Sequence, residues 1–216
     1  KNDAADFIIK DINKDKLYAF LREMEFNRLL SQAISFYGEP GNKDFKEKSP
    51  TKKNKINTKS YKTISKEHQL DELIKKLNEK SIIAVDTETS SLNPQEADLI
   101  GISLCYDANN AYYIPVSHKE RTELKKELVL EKLKLILEDP SIKKVGQNIK
   151  YDFIIFKNHG IELNPIEDTM LLSYTLDAGN NRHNMNILSE LHLNHKTITY
   201  KDLVGTGKKQ LNFSEV

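Results

Sequence analysis

An α/β chain, with a mixed β-sheet flanked by helices, is the fold class the sequence predicts, and three observations predict it. The run Ile82-Ile83-Ala84-Val85 is continuously apolar, as in a strand covered on both faces. Two further β-rich runs, 99–106 and 111–116, are separated by Asp107-Ala108-Asn109-Asn110, which suits a tight turn between antiparallel strands. Leu128, Leu130, Leu133, Ile136 and Leu137 then recur at helical spacing until Pro140. An antiparallel meander first, with helices alternating with strands afterwards, gives a mixed sheet with helices on its faces.

Taken in order, the chain separates into three regions. Residues 1–39 carry Leu17, Phe20, Leu21, Met24, Leu29, Leu30, Ala33 and Ile34, a pattern for one broken or two short amphipathic helices stopped by Gly38 and Pro40. That stretch is too small to enclose a core alone. Residues 40–60 are rich in Lys, Asn, Ser and Thr and poor in apolar side chains, so they cannot offset their ordering entropy by burial and read as a flexible linker. Residues 61–216 form the main domain. There Ser65 is expected to cap a helix with the stripe Leu70, Leu73, Ile74 and Leu77, Lys144-Val145 to add a strand, and the remainder to be mostly helical.

Charge and composition narrow the function. Among 216 residues the net charge is +1, yet nine lysines between Lys43 and Lys66 face only Asp44 and Glu47, leaving the rest of the chain acidic. An acidic body suits a metal-binding catalytic domain better than a basic nucleic-acid reader, although a solvated linker accounts for the lysines equally well. No apolar run approaches the roughly 20 residues that span a bilayer, and no signal-peptide pattern opens the sequence, so a cytoplasmic protein without membrane contact is expected. Cys105 has no partner for a disulfide and sits in an apolar strand. The six histidines show no transition-metal spacing.

The chemistry concentrates in two places. Asp86-Thr87-Glu88 follows the strand 82–85 directly, and alternation along a strand puts Asp86 and Glu88 on one face with Cα atoms roughly 6.6 Å apart. At an effective dielectric near 20 their repulsion is about 2.5 kcal/mol, which a divalent cation would remove. The second place is Gly146-Gln147-Asn148-Ile149-Lys150-Tyr151-Asp152, where Gly146 permits a sharp turn, Asn148 can cap a helix from Ile149, and Asp152 falls in its first turn. Acidic pairs at strand ends are often merely solvated, and Asp152 also complements the helix dipole. Together the three carboxylates have the make-up of a two-metal phosphoryl-transfer site. Asp168, before the stretch Met170, Leu171, Tyr174 and Leu176, reads as a helix cap.

Val85-Asp86-Thr87-Glu88-Thr89-Ser90-Ser91-Leu92 resembles the first motif of the DEDD exonucleases, and 146–152 resembles the second motif as it stands in the bacterial DNA polymerase I (family A) group. Asp168-Thr169-Met170-Leu171, Arg182-His183-Asn184-Met185, 195–199 and 205–211 continue the likeness, while 17–26 resembles the end of that group's 5′-nuclease region. The resemblance implies a ribonuclease H-like fold and a proofreading 3′-5′ exonuclease that trims single-stranded DNA 3′ ends, in a parent polymerase of replication and repair. It implies Asp86, Glu88 and Asp152 as catalytic metal ligands for two Mg²⁺ or Mn²⁺ ions, with Asn148, Leu92, Thr87, Tyr174 and Arg182 toward the substrate. The implied partners are DNA and the polymerase and 5′-nuclease domains of the same parent chain. The family's third motif, a tyrosine followed four residues later by an aspartate, is not present in the C-terminal part, where the one candidate, Tyr200-Lys201-Asp202, has the wrong spacing, so weak or absent activity is expected of these 216 residues. A catalytically silent spacer and an RNA-trimming nuclease are the competing readings.

Overall fold

In the computed structural model the described residues are 11–39, 60–108, 110–118, 123–179, 181–207 and 210–215. The chain divides into two compact units, Lys1–Thr51 and Lys52–Val216. The expected linker lies outside the described residues except for Ser60.

The first unit is a helical pair, α1 (Lys14–Glu23) and α2 (Asn27–Tyr37). Asn13 caps α1 by accepting from the Lys16 amide at 3.0 Å, and α2 stops at Gly38, whose φ of +85° an L side chain would resist. Tyr18, Leu21 and Ala33 are buried between the two helices, whereas Phe20, Met24 and Leu29 remain exposed. Two short helices can cover only one face of each other. The Tyr18 hydroxyl donates to the Gly38 carbonyl at 2.6 Å and ties the end of α2 to α1.

The second unit is built on a six-stranded sheet. Its strands are β1 (Lys62–Thr63), β2 (Ile82–Thr89), β3 (Leu99–Asp107), β4 (Asn110–Pro115), β5 (Lys143–Gly146) and β6 (Ile166–Asp168), in the spatial order β1-β4-β3-β2-β5-β6. The pairs β2–β3 and β3–β4 are antiparallel, and β2–β5, β5–β6 and β1–β4 are parallel. Helices α3 (Glu67–Asn78), α4 (Lys126–Leu137) and α5 (Lys150–Asn158) complete the α/β layer, followed by α6 (Thr169–Asp177), α7 (Met185–Leu193) and the short α8 (Tyr200–Val204). Leu70, Leu73 and Leu77 of α3 and Leu133, Ile136 and Leu137 of α4 share one core with Ile83, Val85, Ile102, Leu104 and Ile114 of the sheet. Each such side chain contributes about 1.5–3 kcal/mol by leaving water. No helix among the described residues is long and apolar enough to cross a membrane.

Four local expectations change. Strand β2 is covered on one face only: Ile83 and Val85 are buried while Ile82 is 54% exposed, so a continuous apolar run here hides an ordinary alternation. Ser65 does not cap α3. Instead Gln69 reaches back, its Oε1 accepting from the amides of Ser65 (3.1 Å) and Lys66 (3.2 Å). Asn148 does not cap α5 either, because its own backbone is left-handed (φ +58°) and the helix begins only at Lys150. Gly146 serves close approach rather than a turn, since a Cβ there would lie 2.9 Å from Ile149 Cγ1. Cys105 is half-buried in β3, and its Sγ donates to the Asp107 carbonyl at 2.7 Å.

Candidate active site

Strand β2 is the central support of the site. Asp86 is paired with Ser103 and Glu88 with Gly101 on β3, so the two carboxylates project from the same sheet face at the C-terminal end of β2. Beyond them the chain turns through Ser90-Ser91-Leu92. The Ser90 amide donates to the Asp98 carbonyl (3.0 Å), and the Thr89 and Tyr151 hydroxyls, 2.6 Å apart, both reach the Ser91 carbonyl. Tyr151 thereby ties this loop to α5.

Strand β5, parallel to β2, delivers the second motif to the same end of the sheet. Asp168 organises it. Its Oδ1 accepts from the amides of Asn148 (3.0 Å), Met170 (2.8 Å) and Leu171 (3.4 Å), and its Oδ2 accepts from Ile149 (3.1 Å). One carboxylate thus caps α6 and also holds the left-handed turn into α5. Gln147 is fixed from both ends, its Nε2 donating to the His183 carbonyl (2.6 Å) and its Oε1 accepting from Thr169 (2.6 Å). Asp152, in the first turn of α5 and only 3% exposed, accepts at Oδ1 from both the Thr87 amide (2.8 Å) and the Thr87 hydroxyl (2.6 Å).

Asp86, Glu88 and Asp152 line a single cavity of about 660 Å³ together with Thr87, Leu92 and Asn148. Leu92 stands at its rim with 96% of its surface in solvent. Tyr174 and Arg182 are not among the lining residues. Tyr174 instead packs edge-on against His183 at 5.3 Å, beyond the Gln147 anchor. Tyr151 and Gln210 line the cavity without having been singled out from the sequence, and so does Tyr200, considered there only for the third motif and set aside for its spacing to Asp202. Tyr151 could have been found, because it directly precedes Asp152 in the second motif; Tyr200 and Gln210 arrive from a distant stretch with no local signature.

The electrostatics are those of crowded acids. Burial, and then the charges of Asp86 and Asp152, push Glu88 up to about 7. Burial outweighs the Thr87 hydrogen bonds and, with the charge of Asp86, brings Asp152 to about 7 as well. Burial also raises Asp86. Among the described residues no lysine or arginine lines the cavity. A donor set of hard carboxylate oxygens without a protein cation fits Mg²⁺ or Mn²⁺ in kind. Among the described residues no three His, Cys, Asp or Glu side chains close into a ready-made ligand cage.

Residues 61–216 match the family described as 3′-5′ exonuclease. The chain belongs to that 3′-5′ exonuclease family. It is 35% identical to DNA polymerase I of Pseudomonas aeruginosa over 95% of the chain and 24% of that protein. With DNA polymerase I of Rhizobium leguminosarum it shares 38% identity over 73% of the chain and 17% of that protein. The chain therefore spans about a quarter or less of these relatives' length. Among solved structures, the exonuclease domain of Aedes aegypti Nibbler is similar with a TM-score of 0.57 at 14% identity, covering 76% of the chain and 82% of that domain. Ribonuclease D of Trypanosoma brucei gives 0.55 at 17% identity, over 68% of the chain and 52% of that protein. Those likenesses establish the ribonuclease H-like fold expected from the motifs.

Proposed function

We propose that this domain hydrolyses the 3′-terminal phosphodiester of single-stranded DNA, releasing deoxynucleoside monophosphates, as the proofreading part of a DNA polymerase I-like parent. The observation that carries the reading is the meeting of Asp86, Glu88 and Asp152, from two separate motifs, around one cavity. Two bound divalent ions would supply an activated water and stabilise the leaving 3′ oxygen. The chain's own residues do the rest. Asp86 and Glu88 project side by side from the rigid end of β2, and Thr87 holds Asp152 in place by fixing one of its oxygens. Asn148 and Leu92 border the space for the terminal nucleotide, with Leu92 an exposed apolar wedge against its base. Arg182 and Tyr174 would meet the strand only farther along.

DNA is the favoured substrate because the relatives at 35–38% identity are DNA polymerases. In this reading the rest of the parent, including a polymerase domain, supplies the frayed 3′ end, and α1 and α2 are the tail of a 5′-nuclease region. An alignment with one relative that takes in 95% of the chain, beyond residues 61–216, supports that last assignment. The test is digestion of 3′-labelled single-stranded DNA and of the same sequence as RNA in Mn²⁺, with Asp86→Ala alongside. Slow, metal-dependent release of deoxynucleoside monophosphates that vanishes in Asp86→Ala is expected. Preferential trimming of RNA, or release that persists in the variant, would overturn the reading, and no release with no Mn²⁺ binding would favour a silent spacer.

A further inference from the structure

A second cavity of about 510 Å³, whose lining includes Ser117 and Phe213, adjoins the carboxylate cavity, and the two share Thr89, Ser90 and Tyr200. Tyr200 stands at this partition with half its surface (51%) in solvent. It opens α8, a five-residue helix whose only buried side chain is Val204, so the helix alone does little to orient the ring. The ring is stacked on Phe213, with centroids 6.2 Å apart and planes 15° from parallel. Phe213 in turn meets His118 at 6.2 Å in an edge contact.

His118 is the anchored end of this series. Its Nε2 lies 2.5 Å from the Tyr113 hydroxyl, and the two rings are nearly perpendicular. Tyr113 sits on β4 opposite Ser103, and its phenol lies over Gly101, where a Cβ would stand 1.9 Å from the hydroxyl oxygen. Gly101 is the residue paired with Glu88. Four rings therefore run from the sheet beside Glu88 to the wall between the two cavities. A flat aromatic surface of fixed orientation can stack on bases of any identity, and holding it in place beforehand spares the ordering cost at binding.

We propose that His118 is a positioning residue for the entering strand: fastened to the sheet by Tyr113, it sets Phe213, and Phe213 holds the Tyr200 ring as a stacking surface between the two cavities. The inference rests on the nuclease reading. It is tested by titrating the 216-residue chain with a fluorescent single-stranded oligodeoxynucleotide in Ca²⁺. His118→Ala is expected to weaken binding about five- to tenfold and Tyr200→Leu about tenfold, with the double variant no weaker than Tyr200→Leu alone. His118→Phe, which keeps a ring against Phe213 but loses the bond to Tyr113, should fall between parent and His118→Ala, and it carries the same cycle if the alanine variant does not fold. Additive losses in the double variant, or parental affinity in both His118 variants, would overturn the proposal while leaving the nuclease reading standing. A parent chain that binds no oligonucleotide would remove the nuclease reading, and the role of His118 with it.

Discussion

Replacing Asp168 by alanine removes the acceptor for four backbone amides at once. Two of them, Met170 and Leu171, are the open first-turn amides of α6, and losing such a cap costs about 1 kcal/mol. The other two, Asn148 and Ile149, belong to the turn into α5; the bond to the Ile149 amide is buried, and a buried amide left without an acceptor costs about 1–3 kcal/mol. The total is about 2–4 kcal/mol, which in a domain of this size lowers the melting temperature by about 10 °C. Asp168→Asn keeps one acceptor oxygen but presents N–H groups where Oδ2 stood, and about half that loss is expected. Thermal unfolding followed by circular dichroism measures both. An Asp168→Ala chain that melts within about 2 °C of the parent would refute the assignment of Asp168 as the organiser of the second motif.

Three further outcomes are expected. Lys144 is fully buried, with its Nζ donating to the carbonyls of Asp139 (2.8 Å) and Ile136 (3.3 Å) at the end of α4, and burial brings its amine down to about 8. The unfolded chain keeps that proton to about pH 10.4, so between about pH 8 and 10 it binds more protons than the folded chain and stability from this group rises with pH by up to ~1.4 kcal/mol per unit. Urea unfolding of the parent and of Lys144→Met should therefore differ by an amount that changes across this window; a constant difference would place the amine at its ordinary value. Gly101→Ala puts a methyl group 1.9 Å from the Tyr113 hydroxyl, which His118 holds in place, and should cost about 1–3 kcal/mol of stability; an unchanged melting temperature would show that the phenol swings aside freely. Leu92→Ala should leave stability within about 0.5 kcal/mol because the side chain is 96% exposed, while weakening oligonucleotide binding several-fold; equal affinity would remove Leu92 from the substrate wall.

The chain by itself determined a good deal. Short-range periodicity marked β2, β3, β4, α3 and α4, because strand alternation and helix stripes are local consequences of backbone geometry. It also marked the carboxylates, since Asp86 and Glu88 are two residues apart on one strand and their juxtaposition needs no folding. Strands β1 and β6 were not legible. They have two and three residues, and only pairing with β4 and β5 makes them strands.

The tertiary structure decided what lies between distant segments. Asp168 was legible as a cap for its own helix, a matter of three residues, but not as the clamp on Asn148 and Ile149, which lie about 20 residues earlier. Thr87 read as a substrate neighbour, whereas its hydroxyl is committed to Asp152, 65 residues away. Tyr200 came to the cavity, and Phe213 to His118, through contacts that leave no periodic trace. Local patterns record the geometry of a few adjacent peptide units, whereas a hydrogen bond or ring contact across the sheet depends on the register and packing of the whole domain.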